Sequence, residues 1–127
     1  MNISSHPIRI VILLAITCML TFACSQSEQD VMQHYLKRMT EVAIIIENIR
    51  SQEGAVSAAS HITEMSSNIN QLVDSIRSLP QQQQDQLMRE HADSISQINQ
   101  RISTALSELA LLDAKARRTI SDALIRL

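Results

Sequence analysis

The sequence predicts an all-α protein: an antiparallel three-helix bundle with coiled-coil-like seams and a short fourth helix at the C-terminus. Three observations lead there. Apolar residues recur along three successive stretches in one 3-4 spacing, which lays each stripe along one face of a helix. Stripes of that kind suit the packing class of bundles that cross at about +20°. The chain has one glycine, Gly54, and two prolines, Pro7 and Pro80, too few turn residues for an all-β fold.

The first helix is expected over 28–51. Ser27, with Asp30 three residues on, has the form of a helix N-cap with an acidic first turn. Its seam is Met32, Tyr35, Met39, Val42, Ile46 and Ile49, widened on one side by Leu36, Ala43 and Ile45. Gly54, just past the last seam residue, marks the expected chain reversal.

The second helix, 55–78, carries its seam at Ala55, Ala58, Ile62, Met65, Ile69, Leu72, Ile76 and Leu79. The small residues Ala55, Ala58 and Ala59 beside the turn let the first two helices approach closely. Pro80 then ends this helix and opens the third, since proline is tolerated in a first turn and not inside. The run Gln81-Gln82-Gln83-Gln84 is ordinary helix material.

The third helix is expected unbroken over 80–112, with a seam at Met88, His91, Ile95, Ile98, Ile102, Ala105, Leu109 and Leu112. Beyond Leu112 the steps lengthen through Ala116, Ile120, Leu124 and Leu127, a change of phase that turns the seam round the helix or breaks it. Helices of about 24 residues span about 36 Å, so a third helix running on would overhang the first two. A break at Asp113, serving as N-cap of a helix over 114–126, resolves both problems. Asp85/Arg89, Asp113/Arg117 and Asp122/Arg126, each four apart, read as pairs on a solvated face.

Upstream of this unit lies a different kind of sequence. Arg9 is followed by a charge-free stretch from Ile10 to Ala23, the pattern of a secretory signal over 1–23. The stretch ends in Leu20-Thr21-Phe22-Ala23-Cys24, which resembles the lipobox of bacterial lipoprotein precursors. There signal peptidase II cuts before a cysteine that carries diacylglycerol and an acyl chain. Leu20 stands one place further from the cysteine than is usual, and Phe22 is bulkier than the small residue usual there. The resemblance implies lipidation at Cys24, a tether over 24–27, and a bundle over 28–127. Ser25, in place of the aspartate that retains many lipoproteins at the inner membrane, implies an outer-membrane anchor facing the periplasm. Cleavage by ordinary signal peptidase after Thr21-Phe22-Ala23 is a second reading of the same residues. An uncleaved anchor is a third, although a span wants about 20 apolar residues.

Without Arg9 the remaining chain has 10 basic and 13 acidic residues, a formal charge of about −3. That gives no pull towards nucleic acid. From Cys24 onward Tyr35 is the single aromatic residue, so stacking platforms for bases are absent there. Both cysteines, Cys18 and Cys24, lie at or before the expected cut, leaving no disulfide to support the bundle.

The chemistry-bearing residues are sparse. His34, His61 and His91 lack the spacing of a zinc site, and His91 falls on the seam as a structural residue. Met32, Met39, Met65 and Met88 also fall on the seams, where methionine fills core gaps. Nothing marks an activated nucleophile, and one glycine cannot make a phosphate loop. No enzyme, metal, cofactor or small-molecule substrate is expected.

Two further resemblances concern the bundle. Ile49-Arg50-Ser51-Gln52-Glu53-Gly54-Ala55-Val56-Ser57-Ala58-Ala59, continued by Leu79-Pro80, is similar to a loose set of small exported helical bacterial proteins of unknown function. Leu79-Pro80-Gln81-Gln82-Gln83 weakly resembles the L-T-x-x-Q motif of CpxP/Spy-type periplasmic proteins, with proline in place of threonine and no second copy. The leading expectation is a non-enzymatic envelope lipoprotein acting as a structural or protein-interaction module. The alternative is a periplasmic chaperone or an envelope-stress or metal sensor. An envelope protein partner or self-association is expected, with Ile44 and Ile45 beside Ile46 offering the surface for the latter.

Overall fold

The computed structural model describes the backbone of residues 6–127 and the side chains of residues 27–127. Contacts divide the chain into two units, Met1–Asp30 and Val31–Leu127. The described residues form five helices and no strands: α1 His6–Glu47, α2 Gln52–Arg77, α3 Gln81–Glu90, α4 Ala92–Leu112 and α5 Ala114–Leu124. The all-α expectation holds.

The helix boundaries differ from the expected ones at three places. First, α1 starts at His6, not near 28, and runs through 24–27 without a cap at Ser27. Ser25-Gln26-Ser27 contains no glycine or proline, and serine costs a helix only some tenths of a kcal/mol. Second, the reversal lies at 48–51, ahead of Gly54. Asn48 Nδ2 donates to the Ile44 carbonyl, and Arg50 Nη1 donates to those of Glu47 and Ile49, which closes α1 with side chains. Ser51 then caps α2 by accepting from the Gly54 N–H at 3.1 Å, so Gly54 sits in the first turn of a helix. Third, the expected 80–112 helix is interrupted at His91, where φ is −109° and ψ is 11°.

That interruption is a bend. The His91 N–H still donates to the Leu87 carbonyl, and the Ile95 N–H to that of His91. Its effect is on register: Leu87 is buried and Met88 is 49% exposed, the reverse of the expected seam. The glutamine run also does more than extend a helix. Gln84 Nε2 reaches back to the carbonyls of Arg77 and Leu79, satisfying acceptors that α2 leaves at its end.

The break at Asp113 is present. Its carboxylate accepts from the N–H groups of Lys115 and Ala116 at 2.8 and 3.1 Å, with extended backbone dihedrals, the geometry of an N-cap.

The core of Val31–Leu127 is apolar throughout. One cluster joins Val42, Ile46 and Ile49 of α1 and its turn with Ile62, Met65 and Ile69 of α2, Leu109 of α4, and Ile120 of α5. Alanines fill the narrow places: Ala55 and Ala58 of α2, Ala105 of α4, Ala116 and Ala123 of α5. Small side chains let backbones approach, and α5 packs against α2 more extensively than against α4. A second cluster gathers Met32, Leu36, Leu87 and Ile98. Gln52 meets Thr119 and Asn70 meets the Arg126 carbonyl; the numbers rise together, so α2 and α5 run the same way.

Candidate functional site

Cys24, the expected lipidation site, has its side chain outside the described residues, as does the rest of the lipobox-like stretch. Among the described residues no helix is long and apolar enough to cross a membrane, and no cluster of His, Cys, Asp or Glu could hold a metal ion.

The side chains singled out from the sequence are scattered. His34 and His61 are exposed, and His91 is half-buried at the bend. Met32 and Met65 are core residues and Met39 packs against both clusters. Met88 is the exception, turned outward by the change of register at His91. None of the three i,i+4 pairs closes. Asp85 accepts from Gln81 Nε2 at 2.8 Å, and Asp113 is occupied as a cap. Of the expected self-association stripe, Ile45 packs against the core and only Ile44 remains 45% exposed.

The structure brings together a site that the sequence reading did not single out. A groove runs between α1 and α4 in two sections, of about 510 and about 340 Å³, which share Gln97 and Arg101. In the larger section lie Glu47, Gln100, Thr104 and Glu108; in the smaller, Gln33, Lys37, Thr40 and Ser94. The apolar floor is Ala105 in the one and Leu36 with Ile98 in the other.

Arg101 stands where the sections meet. Its Nε donates to Glu47 Oε1 at 2.8 Å and its Nη2 to Oε2 at 2.7 Å, a two-pronged pair joining α4 to α1. Those bonds hold the Glu47 carboxyl below the usual glutamate range and raise the Arg101 guanidinium further. Both side chains remain well exposed, at 41% and 36%, so the pair contributes little to stability. A second pair, Arg38 to Glu41, lies on α1, with Arg38 Nε also donating to Asn68 of α2. Half-burial pushes the Tyr35 phenol up, and it packs against both core clusters.

Sequence carried a signal for the Glu47–Arg101 pair. Glu47 follows the seam residue Ile46 and Arg101 precedes the seam residue Ile102; charges flanking a seam are the ones that pair between helices. Which partner each would meet depends on the relative stagger of α1 and α4, and periodicity within one helix does not contain that.

Compared with known protein families, with curated proteins and with solved structures, the chain matches none.

Proposed function

We propose that this chain is a bacterial lipoprotein precursor, cut before Cys24 and anchored through it to the outer membrane, facing the periplasm. Its helical part is a non-enzymatic structural or protein-interaction module, arranged as an antiparallel three-helix bundle to which α5 adds a short fourth helix. The observation that carries this reading is where the core begins. Among the residues with described side chains the core clusters begin at Met32, and the second compact unit opens at Val31. Removing 1–23 leaves the whole of the second compact unit, Val31–Leu127. The charge-free run from Ile10 to Ala23, closing on Ala23-Cys24, supplies the signal and the cut.

The deciding experiment is the intact mass of the protein recovered from membranes, beside a Cys24→Ala variant. A chain starting at Cys24 with diacylglycerol and an acyl chain added supports the anchor. A bare chain from Cys24 would replace it with a soluble periplasmic protein. A chain retaining Met1 would overturn the assignment.

A second reading, the periplasmic chaperone or stress-sensor role, is favoured by a different observation. At the α4–α5 corner Leu111 and Leu112 are 88% and 70% exposed, apolar surface of the kind unfolded clients bind. Suppressed aggregation of several unrelated unfolded proteins would support it. Recovery of one stoichiometric envelope partner would favour the interaction module.

A further inference from the structure

We propose that the α1–α4 groove binds a short peptide with free ends, its carboxylate at Lys37 and Arg101 and its ammonium at Glu108. The proposal concerns the groove alone and stands whether or not Cys24 carries lipid.

The charge layout points to it. The smaller section holds Lys37 and Arg101 with no carboxylate in its lining; the larger holds Glu47 and Glu108 with Arg101 between. The groove is therefore positive at one end and negative at the other. A ligand bearing both charges at its two ends is complementary to it, whereas a simple anion or cation would be repelled from half of it.

The wall between those ends suits a peptide backbone. Gln97, Gln100 and Thr104 lie along α4 on the stretch that runs from the Lys37 end to Glu108, and amides and hydroxyls both donate and accept. Among the described residues their side chains make no bond to other protein groups. Arg101 commits only Nε and Nη2 to Glu47, and a guanidinium has further N–H groups for a second carboxylate.

Length sets the size of the ligand. Lys37 shares its section with Gln97, and Glu108 lies three turns further along α4. At about 1.5 Å per residue that separation is about 16 Å, the span of about five residues of extended chain.

The test uses the full chain in neutral detergent micelles, titrated by NMR with the uncharged pentapeptide Ala-Ser-Ala-Ser-Ala carrying free ends. Saturable shifts confined to the α1 stretch 33–47 and the α4 stretch 94–108 are expected. Acetylating the amino end or amidating the carboxyl end should each weaken binding about fivefold, the scale of one exposed ion pair. Lys37→Gln should cost the free peptide the same factor and leave the amidated peptide unchanged. Glu108→Gln should do the same for the free peptide and leave the acetylated one unchanged. Lys37→Arg, which keeps the charge, should retain binding. No saturable shifts, shifts elsewhere, or equal binding of a doubly blocked peptide would overturn the proposal.

Discussion

Arg101 grips Glu47 across the α1–α4 groove with both hydrogen bonds near 2.8 Å, Nε to Oε1 and Nη2 to Oε2. The pair has a pH signature. Glu47 has its carboxyl pKa lowered, first by the hydrogen bonds from Arg101 and then by its charge. A carboxyl with a depressed folded pKa adds stability that is whole above the unfolded value and is lost as pH falls through the folded one. Glu47→Gln should therefore melt slightly below the parent near neutrality, and the gap should close as pH drops below about 4.5, the ordinary value. Thermal melts across that range check it. A gap of constant size at every pH would show that the pair does not titrate as described.

Gly54 is a helical residue with room for a side chain. A methyl group there would meet Ser51 Oγ at 3.4 Å and Ile49 Cγ2 at 4.0 Å, and its backbone does not have positive φ. Glycine inside a helix costs about 0.5–1 kcal/mol relative to alanine. Gly54→Ala should stabilise the protein by about that much, read as a shift of the urea midpoint. A loss of stability would mean that the turn needs glycine after all.

Asp113 holds the corner between α4 and α5 through two backbone N–H groups. Asp113→Ala should cost about 1 kcal/mol, while Asp113→Asn, which can still accept, should lose much less. Denaturant unfolding of the two variants separates capping from charge. Equal losses would assign the effect to charge instead.

The Asp113 corner was legible in the sequence because two independent cues agreed there: a phase change in the apolar spacing and a capping residue at that point. Nearly every expected seam position of α1 and α2 is also buried or half-buried, since a 3-4 stripe states directly which face must leave water. Three features were not legible, for different reasons. Gly54 marks a reversal by its residue type, but the reversal is secured by Ser51, Asn48 and Arg50, whose side-chain hydrogen bonds leave no periodic trace. Leu87 and Met88 are adjacent and both apolar, so only the bend at His91 decides which one faces the core. The α1–α4 groove depends on stagger between helices, to which no single stripe refers. Function is the least legible level. The run Leu20-Thr21-Phe22-Ala23-Cys24 bears on address and anchoring only through its resemblance to a lipobox, and among the described residues no constellation of side chains names a reaction.

The sharpest test of the core uses two residues that the sequence placed on one continuous stripe. Ile120 and Leu112 both lie on the third seam as read from spacing, yet Ile120 is fully buried in the main cluster while Leu112 is 70% exposed. Burial is what makes truncation costly, through lost transfer energy and the cavity left behind. Ile120→Ala should destabilise by about 2–5 kcal/mol, a large part of the roughly 5–15 kcal/mol that holds a domain. Leu112→Ala, beyond the point where α4 hands the core to α5, should stay within about 0.5 kcal/mol. Urea unfolding of the two variants gives the comparison directly. Equal costs would mean that the seam continues past Asp113 and that α5 does not fold back onto α2.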